Sequence, residues 1–153
     1  MPIFQDDFPS ALAHLPFVFE QEVVWGEMDA LNHVNNVSYM RYAESSRFAF
    51  IFSAGLSDIS PNPTANNGEL VLLAEVNIRY KAPVVYPDTL LIGVGVSAIE
   101  DTSYTLLQHF YSTAQKCITT ECTARLVNFD TKAGRRAKFE TNVLELLNQN
   151  LIS

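Results

Sequence analysis

Residues 25–47, WGEMDALNHVNNVSYMRYAESSR, decide how the rest of the chain is read. The stretch leaves an apolar run, crosses a short polar turn carrying Asp29, His33, Asn35 and Asn36, and enters a segment that is apolar on most sides. Asn35 and Asn36 are both good N-cap residues, and Gly55 stands where a helix-terminating glycine is expected. The spacing therefore predicts a helix from Asn35 or Asn36 to about Ser53. Val37, Tyr39, Met40, Tyr42, Ala43, Phe48, Phe50 and Ile51 leave it little polar surface, which is the pattern of a helix enclosed by its surroundings. The simplest enclosure is a sheet that wraps around it.

The flanking sequence supplies that sheet. Residues 17–25 alternate well enough for a first strand. Beyond Gly68 the apolar period becomes two, with Leu70, Leu72, Ala74, Val76, Ile78 and Tyr80 on one strand face until Pro83 and Pro87 close it. A third strand over residues 89–99 places Leu90, Ile92, Val94, Val96 and Ala98 on one face, and Gly93 and Gly95 on the other. Those glycines imply either a close approach by a helix or a ligand, or a bulge. Turns at Glu100-Asp101 and Ala114-Gln115 lead into strands over residues 103–112 and 116–129.

Residues 1–16, with Pro2, Pro9 and Pro16, read as an irregular arm over the surface, and 57–68 as a long polar loop. A basic segment, Lys132, Arg135, Arg136 and Lys138, precedes a C-terminal amphipathic helix within 139–152, with Val143, Leu146, Leu147 and Leu151 on one stripe. The whole predicts one α+β domain over residues 1–153, an antiparallel sheet of about five strands wrapped around a long central helix, plus a C-terminal helix. Such a sheet leaves edges and an outer face to cover, which homo-oligomerisation would do.

The 153 residues suffice for a real core, and the formal charge of −7 argues against nucleic acid as the main partner. No signal-peptide pattern or bilayer-spanning run is present in the sequence, so a soluble, cytoplasmic protein without a membrane partner is expected. Cys117 and Cys122 fit buried thiols better than a disulfide or zinc site.

Asp29 is the leading chemical group. It lies just ahead of a helix N-terminus, whose free N–H groups and dipole favour a developing oxyanion. The competing reading is a turn carboxylate. Burial would raise its pKa and the helix would lower it, so the sequence leaves the net sign open. One carboxylate can act as general base or nucleophile when the leaving group is good. A thiolate, whose conjugate acid has a pKa of about 8.5, meets that condition. His33 is a candidate for orienting water or moving a proton, with a structural role in the turn as its alternative. The Asn36 backbone N–H is the best oxyanion donor, while the Asn35 and Asn36 side chains suit capping. Glu44 and Arg47 sit at ion-pair spacing on the helix, and a second role for Glu44 stays open. GxSxG, Walker-type and HExxH signatures are absent, so neither a metal nor another cofactor is expected.

Trp25, Asp29, His33-Val34-Asn35-Asn36, Tyr39, Glu44 and Arg47 together resemble the signature of hotdog-fold acyl-CoA thioesterases of the 4-hydroxybenzoyl-CoA thioesterase-like family. The resemblance extends through the central helix, the R-Y-K-A-P segment at residues 79–83 and the later strands. It implies hydrolysis of an acyl-CoA, with Asp29 as the catalytic carboxylate, the Asn36 amide polarising the thioester carbonyl, and Tyr39 near the acyl pocket. It further implies active sites at a dimer interface within a dimer of dimers, and basic residues on the coenzyme A phosphates, for which Arg79, Lys81, Arg135 and Arg136 are candidates. Plant acyl-carrier-protein thioesterases are similar but carry an Asn two residues before the His, where this chain has Leu31, which favours coenzyme A thioesters. A hotdog enoyl-thioester hydratase or dehydratase, and a non-catalytic acyl-thioester-binding module, are the rival readings.

Overall fold

A computed structural model of the protein describes residues 9–56 and 69–152. The polar loop expected at 57–68 and the first half of the N-terminal arm lie outside the described residues. The helix α1, Asn36–Ser53, begins where its cap predicts: the Asn35 side-chain oxygen accepts from Ser38 N at 2.9 Å. Gly55 follows its end with φ +72°. One side of α1 carries Tyr39, Tyr42, Ala43, Ser46, Arg47, Phe50 and Ile51, all buried, at helical spacing.

That side packs into an antiparallel sheet of order β1-β3-β4-β5-β2, formed by β1 (Phe17–Glu22), β2 (Glu69–Tyr80), β3 (Thr89–Ile99), β4 (Ser103–Ser112) and β5 (Cys117–Asp130). A two-residue β6 (Arg135–Arg136) pairs with the end of β5, and α2 (Thr141–Gln149) follows. This is the hotdog arrangement: a curled sheet around one long helix. Among the described residues no helix is long and apolar enough to cross a membrane.

The inner sheet face presents Leu90, Ile92, Val94, Val96, Tyr104, Leu106, Phe110, Cys122, Ala124 and Leu126, all within one buried cluster with α1. Gln108, also fully buried there, accepts from Arg47 Nη1 at 3.3 Å and donates to Ala43 O at 2.9 Å and Ser46 Oγ at 2.6 Å. These bonds satisfy polar groups on both α1 and β4 that would otherwise be stranded in an apolar layer. Burial lowers the Arg47 pKa and pushes the Cys122 thiol up to about 11. Glu44, by contrast, is exposed and makes no ion pair with Arg47 among the described residues.

Several expectations change. The helix is not enclosed on all sides: Val37, Met40 and Phe48 are 70%, 43% and 47% exposed, because the sheet of one chain covers only one side. The first strand stops at Glu22, and Trp25–Glu27 is a 3-10 turn. On β2 the single apolar face breaks at a bulge between Leu73 and Glu75. The extra residue, Ala74, switches phase, so Val71, Val76 and Ile78 pack on the core while Leu72 and Leu73 are exposed. A bulge between Val96 and Ala98 turns Ala98 out in the same way.

The arm does not simply cross the surface. Leu12 and Leu15 are buried against the outer face of β3, where a Cβ on Gly93 would stand 2.4 Å from Leu15 Cδ1. At Gly95 the close neighbours are Pro16 and Ile152. The close approach is real at both positions, but it is made by the N-terminal arm and the segment after α2 rather than by the expected helix or ligand. α2 ends at Gln149, and Leu151 leaves the expected helical stripe to bridge Val96, taking the place beside β3 that β1 leaves empty. Cys122 is buried as expected, whereas Cys117 is exposed at the start of β5.

Candidate active site

The turn ahead of α1 is built from the backbone outward. Asp29 N donates to His33 O at 2.8 Å, and Asn32 N to Asp29 O at 3.0 Å, with Asn32 at φ +60°, a conformation that Asn tolerates well. Asp29 Oδ1 accepts from Leu31 N at 2.8 Å and His33 N at 3.3 Å. The carboxylate is thus a turn-forming group through one oxygen. Oδ2 has no hydrogen-bond partner among the described residues, and the side chain is exposed. The turn reading of Asp29 therefore describes Oδ1 and leaves Oδ2 unengaged.

Beneath this turn, Val34 N donates to Val84 O at 2.9 Å and Val84 N donates to Tyr39 Oη at 3.0 Å. One residue of the connection after β2 is thereby held by both the turn and the helix. Lys81 N and Ala82 N both donate to Thr119 O, which fixes the preceding residues against β5. The result is a cleft of about 410 Å³ lined by Asp29, Leu31, His33, Val34, Asn36, Tyr39, Tyr80 and Lys81, with Ala82 and Pro83 completing its wall. The Asn36 N–H, in the first turn of α1, donates to no acceptor among the described residues. A second cleft of about 450 Å³, lined by Trp25, Met28, Asp29, Asn32, Val85 and Tyr86, lies on the other flank of Asp29.

The remaining site candidates are distributed as follows. His33 is half-buried and lines the first cleft, and its backbone bonds Asp29 in both directions. Tyr39 is a buried floor residue packed edge-on against Tyr80, with ring centroids 4.9 Å apart, and burial pushes its phenol above the ordinary value. The Asn35 side chain is committed at both ends, accepting from Ser38 N and donating to Glu27 O. Glu44 lines neither cleft.

Lys81 reaches the cleft while held by Glu121 at 2.6 Å. That bond holds the Glu121 carboxyl below the usual range. Arg79 is exposed and pairs across the strands with Glu121, outside the cleft lining. Arg135 and Arg136 are exposed at the far end of β5: Tyr80 pairs with Thr120, whereas β6 pairs with Phe129 and Asp130. Ten residues of strand between Thr120 and Asp130, at about 3.3 Å each, separate these arginines from the Asp29 cleft of the same chain.

Two residues without an expected site role stand out. Glu27 Oε1 accepts from Val24 N at 2.9 Å and from the hydroxyl of the buried Tyr42. Fifteen residues apart and on different elements, they carry no spacing signal that would join them.

A curled sheet around a capped helix, with a carboxylate beside the free helix N-terminus, defines a protein of the hotdog thioesterase fold. The chain belongs to the thioesterase-like superfamily, whose family model matches residues 23–147. It is 26% identical to a putative esterase from Aquifex aeolicus over 91 residues, 60% of this chain and 69% of that protein. A thioesterase-superfamily protein from Jannaschia superposes with a TM-score of 0.80 at 23% identity, covering 98% of this chain and 96% of that one. The 1,4-dihydroxy-2-naphthoyl-CoA thioesterase from Synechocystis gives 0.75 at 14% identity, covering 86% and 95%.

Proposed function

We propose that the protein hydrolyses an acyl-CoA thioester to the free acid and coenzyme A, in the manner of the 4-hydroxybenzoyl-CoA thioesterase-like branch. The observation that carries this reading is that Asp29, whose Oδ2 has no hydrogen-bond partner among the described residues, and Asn36, whose helix N-terminal N–H donates to none, line one cleft. Water activated by Asp29 attacks the thioester carbon, its proton passing to the carboxylate while the carbonyl oxygen takes up negative charge. The Asn36 N–H donates to that oxygen at the positive end of the α1 dipole. The C–S bond then breaks and the thiolate leaves without a general acid, its conjugate acid having a pKa of about 8.5. Direct attack by Asp29, followed by hydrolysis of the acyl-aspartyl ester, uses the same groups and yields the same products.

His33 orients the reacting water and Tyr39 walls the acyl side. Lys81, with Arg79 beyond it, faces the coenzyme A phosphates. Arg135 and Arg136 serve the site only across an interface. β2 is an edge strand with Leu72 and Leu73 45% and 47% exposed, the kind of edge that pairs with a second copy. Antiparallel pairing of two β2 strands lays the Glu69 end of one beside the Tyr80 end of the other, bringing each β6 toward the other copy's cleft.

Release of free thiol from a panel of aromatic, short-chain and long-chain acyl-CoAs tests the reading. Turnover of at least one member is expected. A protein that binds panel members without releasing thiol would instead be a binding module, and one that hydrates an enoyl-CoA while sparing the thioester would be a hydratase.

A further inference from the structure

We infer that Glu27 is the positioning residue that registers the Asp29 turn against the N-terminus of α1, acting through Tyr42 and Asn35. The inference rests on the hydrolase reading above and deepens it.

Glu27 lines neither of the clefts that flank Asp29. It joins three pieces of backbone that must keep a fixed relation if Asp29 is to face the Asn36 amide. Its carboxylate oxygen closes the Trp25–Glu27 turn by accepting from Val24 N, and the same oxygen accepts from the hydroxyl of Tyr42, the seventh residue of α1. Its backbone carbonyl accepts twice from Asn35, from N at 3.0 Å and from Nδ2 at 2.9 Å. Asn35 in turn caps the helix through Ser38 N.

The Asp29 turn therefore hangs between two fixed points that lead back to the same helix. Glu27 precedes it by two residues and is tied to Tyr42, while Asn35 follows it by six and is the cap of α1. Tyr42 is 1% exposed, so its ring cannot swing away, and burial with the Glu27 bond keeps its phenol protonated as the donor. Removing the Glu27 carboxylate cuts the tie to Tyr42 and opens the Trp25–Glu27 turn, leaving the Asp29 side of the turn held to α1 only through the bonds of the Glu27 carbonyl to Asn35.

The test compares Glu27→Ala, Glu27→Gln and Tyr42→Phe by amide hydrogen exchange and by steady-state kinetics on the best panel substrate. In Glu27→Ala, exchange of the Leu31, His33 and Asn35 amides is expected to rise by about tenfold or more while the second half of α1 stays protected. A displacement of the order of 1 Å lowers kcat about 10–100-fold, with KM nearly unchanged. The Gln side chain still accepts from Val24 N and Tyr42 Oη, so Glu27→Gln restores both readouts to near wild type, and Tyr42→Phe falls between.

Unchanged exchange in Glu27→Ala overturns the inference whatever the activity. A Gln variant as impaired as the Ala variant also overturns it, because the charge rather than the hydrogen bonds would then be the requirement. If the Ala variant does not fold, raised exchange at Leu31, His33 and Asn35 in Tyr42→Phe beside near-wild-type Glu27→Gln supports the inference, and unchanged exchange in Tyr42→Phe overturns it. Failure of the wild type on every acyl-CoA would refute the hydrolase reading alone, since the exchange comparison needs no substrate.

Discussion

Replacing Tyr39 with Phe removes one oxygen from the cleft floor, and the structure sets what that oxygen does. Val84 is fully buried, and its N–H donates to Tyr39 Oη at 3.0 Å. Its carbonyl is occupied by Val34 N at 2.9 Å, so the residue pins the turn to the connection after β2. Without the phenol oxygen the amide is left buried without an acceptor, a loss of about 1–3 kcal/mol. The ring, packed against Tyr80 and Phe110, keeps its contacts. For a chain of this size each kcal/mol moves the melting temperature by about 2–4 °C, so Tyr39→Phe should melt about 2–12 °C lower. Burial raises the phenol pKa, so Tyr39 stays neutral and the difference should be the same at pH 6 and pH 8. Urea denaturation at one protein concentration measures it without mixing in assembly effects. A variant within about 0.5 kcal/mol of wild type would refute the assignment of Tyr39 as the anchor of Val84.

Gly93→Ala places a methyl 2.4 Å from Leu15 Cδ1 and should destabilise by overpacking, by about 1–3 kcal/mol. Adding Leu15→Ala should recover part of that loss, and strict additivity in the double mutant would contradict the proposed contact. Acidification should weaken the fold. Burial holds the His109 imidazole below its ordinary value, with His14 and Lys81 acting the same way and Glu121 opposing them. The Lys81 bond likewise holds Glu121 low. The unfolded chain takes up protons that the folded one resists, so stability is full above the ordinary values of 6.5 and 4.5 and falls as pH drops through each. Denaturation midpoints at pH 7.5 and 5.5 read the first step, and His109→Gln should flatten it; an unchanged slope excludes His109 as its source. Leu73→Glu on the exposed edge of β2 should reduce the molar mass seen by light scattering, and an unchanged mass would remove β2 from the interface.

Much of the architecture is legible in short-range pattern. Asn35 announces the start of α1 because capping is a local bargain between one side chain and one amide, and β3, β4 and β5 follow their turns within a residue or two. What escaped detection depends on contacts far apart in sequence. Ala74 belongs to an unbroken alternation when read alone, and only pairing with β5 shows the bulge that turns Leu72 and Leu73 outward. Prolines around Leu12 and Leu15 mark the arm as irregular, yet its described part forms a 3-10 turn at Ser10–Leu12, and the pocket over Gly93 that buries both leucines is made by another strand. Asp29, His33 and Asn36 meet in one cleft because they are neighbours in the chain. Positive charge groups Arg135 and Arg136 with Lys81 as phosphate candidates under the resemblance, but strand register places them at opposite ends of the sheet. The Glu27–Tyr42 bond had no local signature at all.

If Asp29 acts as the base or nucleophile, thiol release by Asp29→Asn must collapse relative to wild type on the same acyl-CoA. The Asn side-chain oxygen can still accept from Leu31 N and His33 N, so the turn and the fold should persist, with the melting temperature and oligomeric state retained. General-base or nucleophilic function is lost with the charge, and kcat should fall by about 10²–10⁴. A folded Asp29→Asn protein that turns over as fast as wild type would leave Asp29 as a turn residue and contradict the account.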